Sequence, residues 1–419
     1  MPRRFLRLLT RPHIAGLAGW SVVSRLPVYL MSLAMVLVVR EQGGGYPQAG
    51  LVSALYTVGM ALGSPLVARR VDRVGRRTVL LATGLTYPAA LILLVWATGP
   101  ADPAQLVLAV LAGAALPPAN ACMRGLWARL PLAEDERATA YLWEALLTEL
   151  LVIGTPVMLA ALMATGSAAS ALTAVAVLGG IGAVGLALTP LPPEVTAKDR
   201  AAAEKGRAAA GQAGSPGGLL GPLHHRGLLA LLAVMAASAV PIGLMTLAIP
   251  AFVDAHGTAG RTGFVYACWG IGSAVGALWL GDTQTERPVH RRFPWLVLAF
   301  AAGTAVPLLA TSEITLGVAL AVGGAPIALV SAAEMTLVGS LADERLLTEA
   351  FTWASLATVL GEAIGQQTGG LLAGPLGPHG VFAVAVGAAL LAAVGAFAGR
   401  GLFARTTAVP ATAGAAGTG

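Results

Sequence analysis

Five ionisable side chains stand inside otherwise apolar stretches of this chain: Arg25, Glu144, Glu149, Glu334 and Glu362. A charge at the centre of a bilayer costs about 2.5–3.5 kcal/mol on insertion scales, so residues of this kind pair with one another, bind a charged ligand or carry a proton. Arg25 lies roughly 16 Å beyond Ile14 at about 1.5 Å per helical residue, with Tyr29 and Ser32 on the same helical face. Glu149 falls at a similar depth. One reading pairs Arg25 with Glu149 as a structural ion pair; the other has Arg25 tuning a protonatable Glu or binding substrate. Glu144 and Glu149 are five residues apart and point about 140° from each other, so both cannot face one cavity squarely. Ser355, Thr358, Glu362, Gln366 and Gly369 follow i, i+3, i+7, i+11, i+14, one polar stripe on an apolar helix that reads as lining water or substrate. Glu334 is deep enough to matter but has no such company.

The elements that position these residues are membrane helices. The chain has 419 residues, 56% hydrophobic and 11% charged, with a mean hydropathy of +0.77, whereas a soluble domain carries about 25% charged residues. Apolar runs near the roughly 20 residues that cross a bilayer recur along its length, and such runs span lipid as helices because helices satisfy their own backbone groups. Twelve spans are predicted, at 14–39, 48–67, 78–98, 104–125, 138–164, 169–189, 227–252, 263–281, 294–312, 314–340, 348–374 and 380–399. Met1-Pro-Arg-Arg resembles the start of a signal peptide, but the apolar stretch behind it is too long for one and is read as the first span.

Basic residues orient the spans. With the N-terminus inside, 23 of the 26 Lys and Arg residues fall in cytoplasmic segments, Arg40 and Arg261 fall outside, and Arg25 lies within a span. Both termini are therefore expected in the cytoplasm of a cell whose inner membrane holds the protein. The domain plan is 1–189, a linker at 190–226 rich in Pro, Gly, Ala and charge, 227–400, and a disordered Ala/Gly/Thr tail at 401–419.

The two halves repeat each other. Ser24-Arg-Leu-Pro-Val-Tyr-Leu-Met-Ser-Leu-Ala34 aligns with Ser238-Ala-Val-Pro-Ile-Gly-Leu-Met-Thr-Leu-Ala248 at an offset of 214, with six of eleven positions identical. Arg25 has Ala239 as its counterpart, so the repeat does not demand the charge. Gly50, Val52, Ala54, Gly59 and Gly63 match Gly263, Val265, Ala267, Gly272 and Gly276 at 213; Pro117 matches Pro326 at 209; Tyr141-Leu-Trp143 matches Phe351-Thr-Trp353 at 210. Four matches in order, with offsets drifting this little, argue for duplication.

A loop supplies a second signal. Ala68-Arg-Arg-Val-Asp72-Arg73-Val-Gly75-Arg76-Arg77, between spans two and three, resembles the signature G-x-x-x-D-R-x-G-R-R of the major facilitator superfamily, with Ala68 in place of the usual Gly. The resemblance implies an all-α membrane fold of twelve helices in two duplicated six-helix bundles, with substrate near mid-membrane between the halves. It implies that Asp72 faces the start of span eleven near Thr348 and holds one side closed. Arg76 and Arg77 are then available to Glu134-Asp135-Glu136, and Gly75 gives the turn its backbone freedom. Gly154-Thr-Pro156 only faintly resembles the Gly-Pro motif of drug:proton antiporters.

These features set the functional expectations. Neither lysine follows a Gly-rich loop, so ATP-driven transport on this chain is excluded. The six histidines lie in loops or at span ends, and no cluster suggests a metal, a cofactor or an intramembrane enzyme. Acidic groups outnumber basic ones at depth and hydroxyl and amide groups are few. Proton-coupled export of small amphiphilic compounds, a drug or secondary metabolite, is therefore favoured, with no nucleic-acid partner and a monomeric state. The alternatives are uptake of a nutrient by symport and, more remotely, a non-transporting sensor or a lipid flippase. Glu362 is preferred over Glu149 as the proton carrier, because Arg25 near Glu149 would hold the latter ionised.

Overall fold

A computed structural model describes residues 14–100, 102–132, 134–191, 193, 195–196, 225–256, 261–281, 288–342 and 347–404. The described residues form helices and their connections. In chain order the helices are α1 (Ile14–Arg25), α2 (Met31–Glu41), α3 (Tyr46–Val74), α4 (Arg76–Trp96), α5 (Pro103–Ala114), α6 (Ala119–Arg129), α7 (Glu134–Thr165) and α8 (Ala168–Leu188). The second half continues with α9 (Arg226–Ala255), α10 (Thr262–Gly281), α11 (Val289–Ala305), α12 (Glu313–Gly324), α13 (Ile327–Leu341) and α14 (Leu347–Phe403). Among the described residues eight helices are long and apolar enough to cross a membrane, or nine when α1 and α2 count as one bent span. The chain is a multi-pass membrane protein. α14 is two helices joined at Gly377, whose φ of 64° and ψ of 178° interrupt the helical run.

Local chemistry sets the boundaries. Asp102 caps α5, its side chain accepting from the Ala104 N–H at 2.8 Å with Pro103 in the first turn. Ser312 caps α12 in a reciprocal pair with Thr315, at the Thr311-Ser312-Glu313 break that the sequence marks between spans nine and ten. Gly75 joins α3 to α4 with φ 87°, a left-handed geometry that a side chain resists.

One expectation fails at the first span. Pro27 lacks an N–H, and the chain there leaves the α-helix for a 3-10 turn, Leu26–Tyr29, with a 53° bend before α2. Arg25, Tyr29 and Ser32 therefore do not share one continuous face. The matching Pro241 leaves α9 helical from Arg226 to Ala255.

Packing runs through small residues, as membrane helices favour. A methyl group on Gly59 of α3 would overlap the Val110 carbonyl of α5, and one on the matching Gly272 of α10 would overlap the Ala321 carbonyl of α12. Large apolar side chains such as Leu85, Leu93, Val107, Ile181, Trp295 and Val318 are exposed, as a lipid-facing perimeter requires. Two buried clusters lie mainly in the first half and two in the second. Leu247 of α9 joins one of the former, and Tyr46 of α3 packs against one of the latter, so the halves interlock.

Candidate functional site

The polar stripe on α14 sits at the seam between the halves. Two close helix approaches put it there: a methyl group on Gly243 of α9 would overlap the Glu362 carbonyl, and one on Gly50 of α3 would meet the Gln366 carbonyl. Along the stripe Ser355 is exposed, Thr358 and Glu362 are half-buried, and Gln366 is fully buried. Gln366 Nε2 donates to Glu362 Oε1 at 3.1 Å, and its Oε1 lies 3.2 Å from Thr57 Oγ1 on α3. The Thr57 hydroxyl has one proton, shared between Gln366 and the Ser53 carbonyl at 3.0 Å, and Ser32 Oγ is 3.5 Å away. A neutral hydrogen-bonded chain thus runs from the first half into a carboxylate of the second. Among the described residues Glu362 has no basic partner. A site of this kind can hold a proton on Glu362, or exchange it for the cationic group of a ligand.

Arg25 has a carboxylate partner on α7. It ends α1, 1% exposed, and its Nη1 lies 2.5 Å from Glu144 Oε2, while Trp127 Nε1 donates to Glu144 Oε1 at 2.8 Å. Among the described residues the partner is Glu144. The two glutamates are five residues apart on α7, more than one turn. The Glu149 side chain lies outside the described residues. Tyr29 is half-buried at the end of the 3-10 turn.

A third constellation was not singled out from the sequence. Arg40 at the end of α2 pairs with Asp254 at the end of α9, Nη2 to Oδ2 3.0 Å, and Tyr46 donates its hydroxyl to the same oxygen at 3.0 Å. The guanidinium also lies 4.2 Å from the centre of the Tyr46 ring and donates to the Gly44 carbonyl. The signal was available: Arg40 and Asp254 are 214 residues apart, the offset that aligns spans one and seven. Nearer mid-membrane the matched glycines make matched contacts. Gly50 meets the Gln366 carbonyl, and a methyl group on Gly263 would overlap the Pro156 carbonyl of α7. Residues 156 and 366 are themselves 210 apart, the offset of spans five and eleven. Thr57 and Ser53 were also missed, although their i, i+4 hydroxyls mark a polar line on an apolar helix.

At the opposite end Arg76 Nη1 donates to the Leu186 carbonyl at 3.1 Å, in the last turn of α8, where the helix dipole favours a cation. Arg73 and Arg77 are exposed. The side chains of Asp72 and Thr348, and of Glu134 and Asp135, lie outside the described residues.

Apolar helices around a polar seam define a polytopic helical membrane protein. The sequence profile of the Major Facilitator Superfamily matches residues 17–322, and the chain belongs to that family. No curated protein matches it significantly. Solved structures share the fold. Nucleoside transporter NupG superposes with a TM-score of 0.73 at 12% identity, over 94% of this chain and 100% of the other. A peptide transporter POT mutant gives 0.68 at 17%, over 94% and 95%. A bacterial homologue of iron transporter ferroportin, in an inward-facing state, gives 0.66 at 15%, over 94% and 99%.

Proposed function

We propose that this protein exports small amphiphilic compounds, cationic ones in particular, in exchange for protons, by alternating access between two six-helix bundles of twelve spans. The carrying observation is Glu362: a carboxylate on the seam between the halves, bonded to a neutral amide and facing no basic side chain among the described residues. Ionised, it attracts a cationic substrate; protonated, it releases it. One proton entering then displaces one substrate leaving. Arg25 and Glu144 already neutralise each other and are assigned a structural part.

Several features support two bundles at 1–189 and 227–400 joined by the 190–226 linker, and we take the working unit to be a monomer in the inner membrane. Gly50–Gln366 and Gly263–Pro156 are contacts between halves at repeat-related positions, and Arg40–Asp254 ties the same end. α1 with α2, α5 with α6, α12 with α13, and the two parts of α14 account for the predicted spans when each broken helix is taken as one and α14 as two. We read the Asp254 end as the outer face and the closed one, with the stripe opening inward at Ser355. Under this reading Asp72 and its loop act on the cytoplasmic side.

The deciding assay is flux in proteoliposomes with an imposed pH gradient. Wild type is expected to drive substrate against its own gradient. Glu362→Gln should lose that drive, down to the level of protein-free liposomes, while keeping substrate-for-substrate exchange. Full pH-driven flux in Glu362→Gln would remove the proton from this site, and accumulation in the same direction as proton flow would make the protein a symporter. Reporter fusions check orientation: those within 200–210 and after Thr406 should lie inside, those near Gly99 and Gly257 outside.

A further inference from the structure

Glu334 of α13 is 6% exposed, and its Oε1 has no hydrogen-bond partner among the described residues. It lines a cavity of about 40 Å³ with Ser238 of α9, Ser331 of its own helix and Thr358 of α14. Ser238 Oγ is likewise buried and unpartnered. The Thr358 hydroxyl gives its proton to the Ala354 carbonyl at 3.2 Å, which leaves its lone pairs for a cation. The remaining wall, Ile242 and Phe300 among it, is apolar and brings no second ionisable group from α9, α11 or α14. Glu362 lies four residues, about one turn, further along α14. A water needs roughly 10–15 Å³ of such space, so the cavity admits a small ion or a compact head group. A buried carboxylate lacking a counter-charge is costly, and the orphaned hydroxyl beside it adds to that cost.

The first half meets the same problem with its own side chain. There the Arg25 guanidinium neutralises Glu144. Ala239 stands 214 residues after Arg25, at the matching place in the repeat, and Ala239 lines the Glu334 cavity. The carboxylate has moved from α7 to α13, but the place from which the first half delivers a cation now carries a methyl group and open space. The residues that line that space, on three helices, carry one carboxylate and three hydroxyls, of which that of Ser331 belongs to an exposed residue.

We propose that the Glu334 cavity is a binding site for a monovalent cation, which supplies from solution the charge that Arg25 supplies covalently in the first half. The ion is either inorganic, such as Na⁺, or the ammonium or guanidinium group of a substrate. The site is separate from Glu362, and its test reads binding rather than flux, so its failure leaves the proton-exchange reading standing and the reverse also holds.

The experiment follows the thermal stability of the purified full chain at fixed pH and ionic strength. Choline is replaced by Na⁺, or in part by low concentrations of methylammonium or guanidinium. Wild type should show a saturating upward shift in melting temperature, on the order of a few degrees. Response to Na⁺ assigns an inorganic ion; response to methylammonium and guanidinium but not to Na⁺ assigns an organic head group. Glu334→Gln should abolish the shift, and Ser238→Ala should weaken it. Ala239→Arg places a tethered guanidinium in the cavity, so it should be stable in choline and insensitive to added cations. A wild-type protein whose stability answers to pH but to none of these cations overturns the proposal, because the carboxyl then holds only a proton. Retention of the full shift in Glu334→Gln overturns it as well. Should Ala239→Arg not fold, the Glu334 and Ser238 variants still decide.

Discussion

The two halves of the chain bury carboxylates in different company. In the first half Glu144 meets the Arg25 guanidinium and the Trp127 indole, so both of its oxygens are engaged and the charge is cancelled within the protein. In the second half Glu362 meets the amide of Gln366, and Glu334 meets a cavity lined by hydroxyls. At the end of the molecule Asp254 adopts a third arrangement, paired with Arg40 but partly open to water. A fixed cation holds a carboxylate ionised, whereas a carboxylate facing neutral groups is free to hold a proton or to meet a cationic ligand. Under the proposed function the first half is a neutral frame and the second is the side that exchanges charge.

This contrast is broken most easily at Arg25. Arg25→Met leaves Glu144 buried without its cation, a loss of about 3–5 kcal/mol for a broken buried pair. The expected outcome is a large fall in the yield of monodisperse protein and in its melting temperature, with recovery in the double variant Arg25→Met, Glu144→Gln. If Arg25→Met is instead as stable as wild type but fails to transport, Arg25 belongs to the substrate path and the neutral-frame description is wrong. A middle-sized effect is expected at the seam. Gly50→Val adds bulk where α3 meets the Gln366 carbonyl, and overpacking of this kind costs about 1–3 kcal/mol. It should drive the halves apart at the Asp254 end, read as greater labelling of a cysteine introduced at Ala251 from that side. Unchanged labelling would show that this contact does not hold the closed state.

The smallest effect belongs to Asp254. Arg40 and Asp254 are 35% and 46% exposed, so their pair is screened, and exposed pairs contribute about 0–1 kcal/mol. Asp254→Asn should leave expression and melting temperature nearly unchanged and raise the same labelling slightly, with less difference from wild type in high salt. A loss of stability as large as that of Arg25→Met would show that depth does not separate the two pairs.

Much of this arrangement was legible in the residues. The stripe from Ser355 to Gln366 needed only helical periodicity, and Gly75 needed only the steric rule that reserves positive φ for glycine. The matched glycines at 50 and 263 marked places where helices touch. Other parts were not legible. Arg25 had two glutamates near its depth, and helical periodicity alone did not say that the Glu144 carboxylate meets it. Thr57 lies 309 residues from Gln366, and its own helix does not say which distant helix it faces. Glu334 looked isolated because its neighbours, Ser238 and Thr358, come from other helices.

By itself the sequence determined that this is a membrane chain, where many of its apolar helices run and which residues break them, and it carried the matched motifs that argue for duplication. These are consequences of hydrophobicity, backbone sterics and periodicity, all written within a few turns of chain. The tertiary structure alone decided which charges cancel and which stay available. Pairing of buried charges depends on distances of a few ångströms between helices remote in sequence, and a single bend or a glycine contact moves a side chain by more than that.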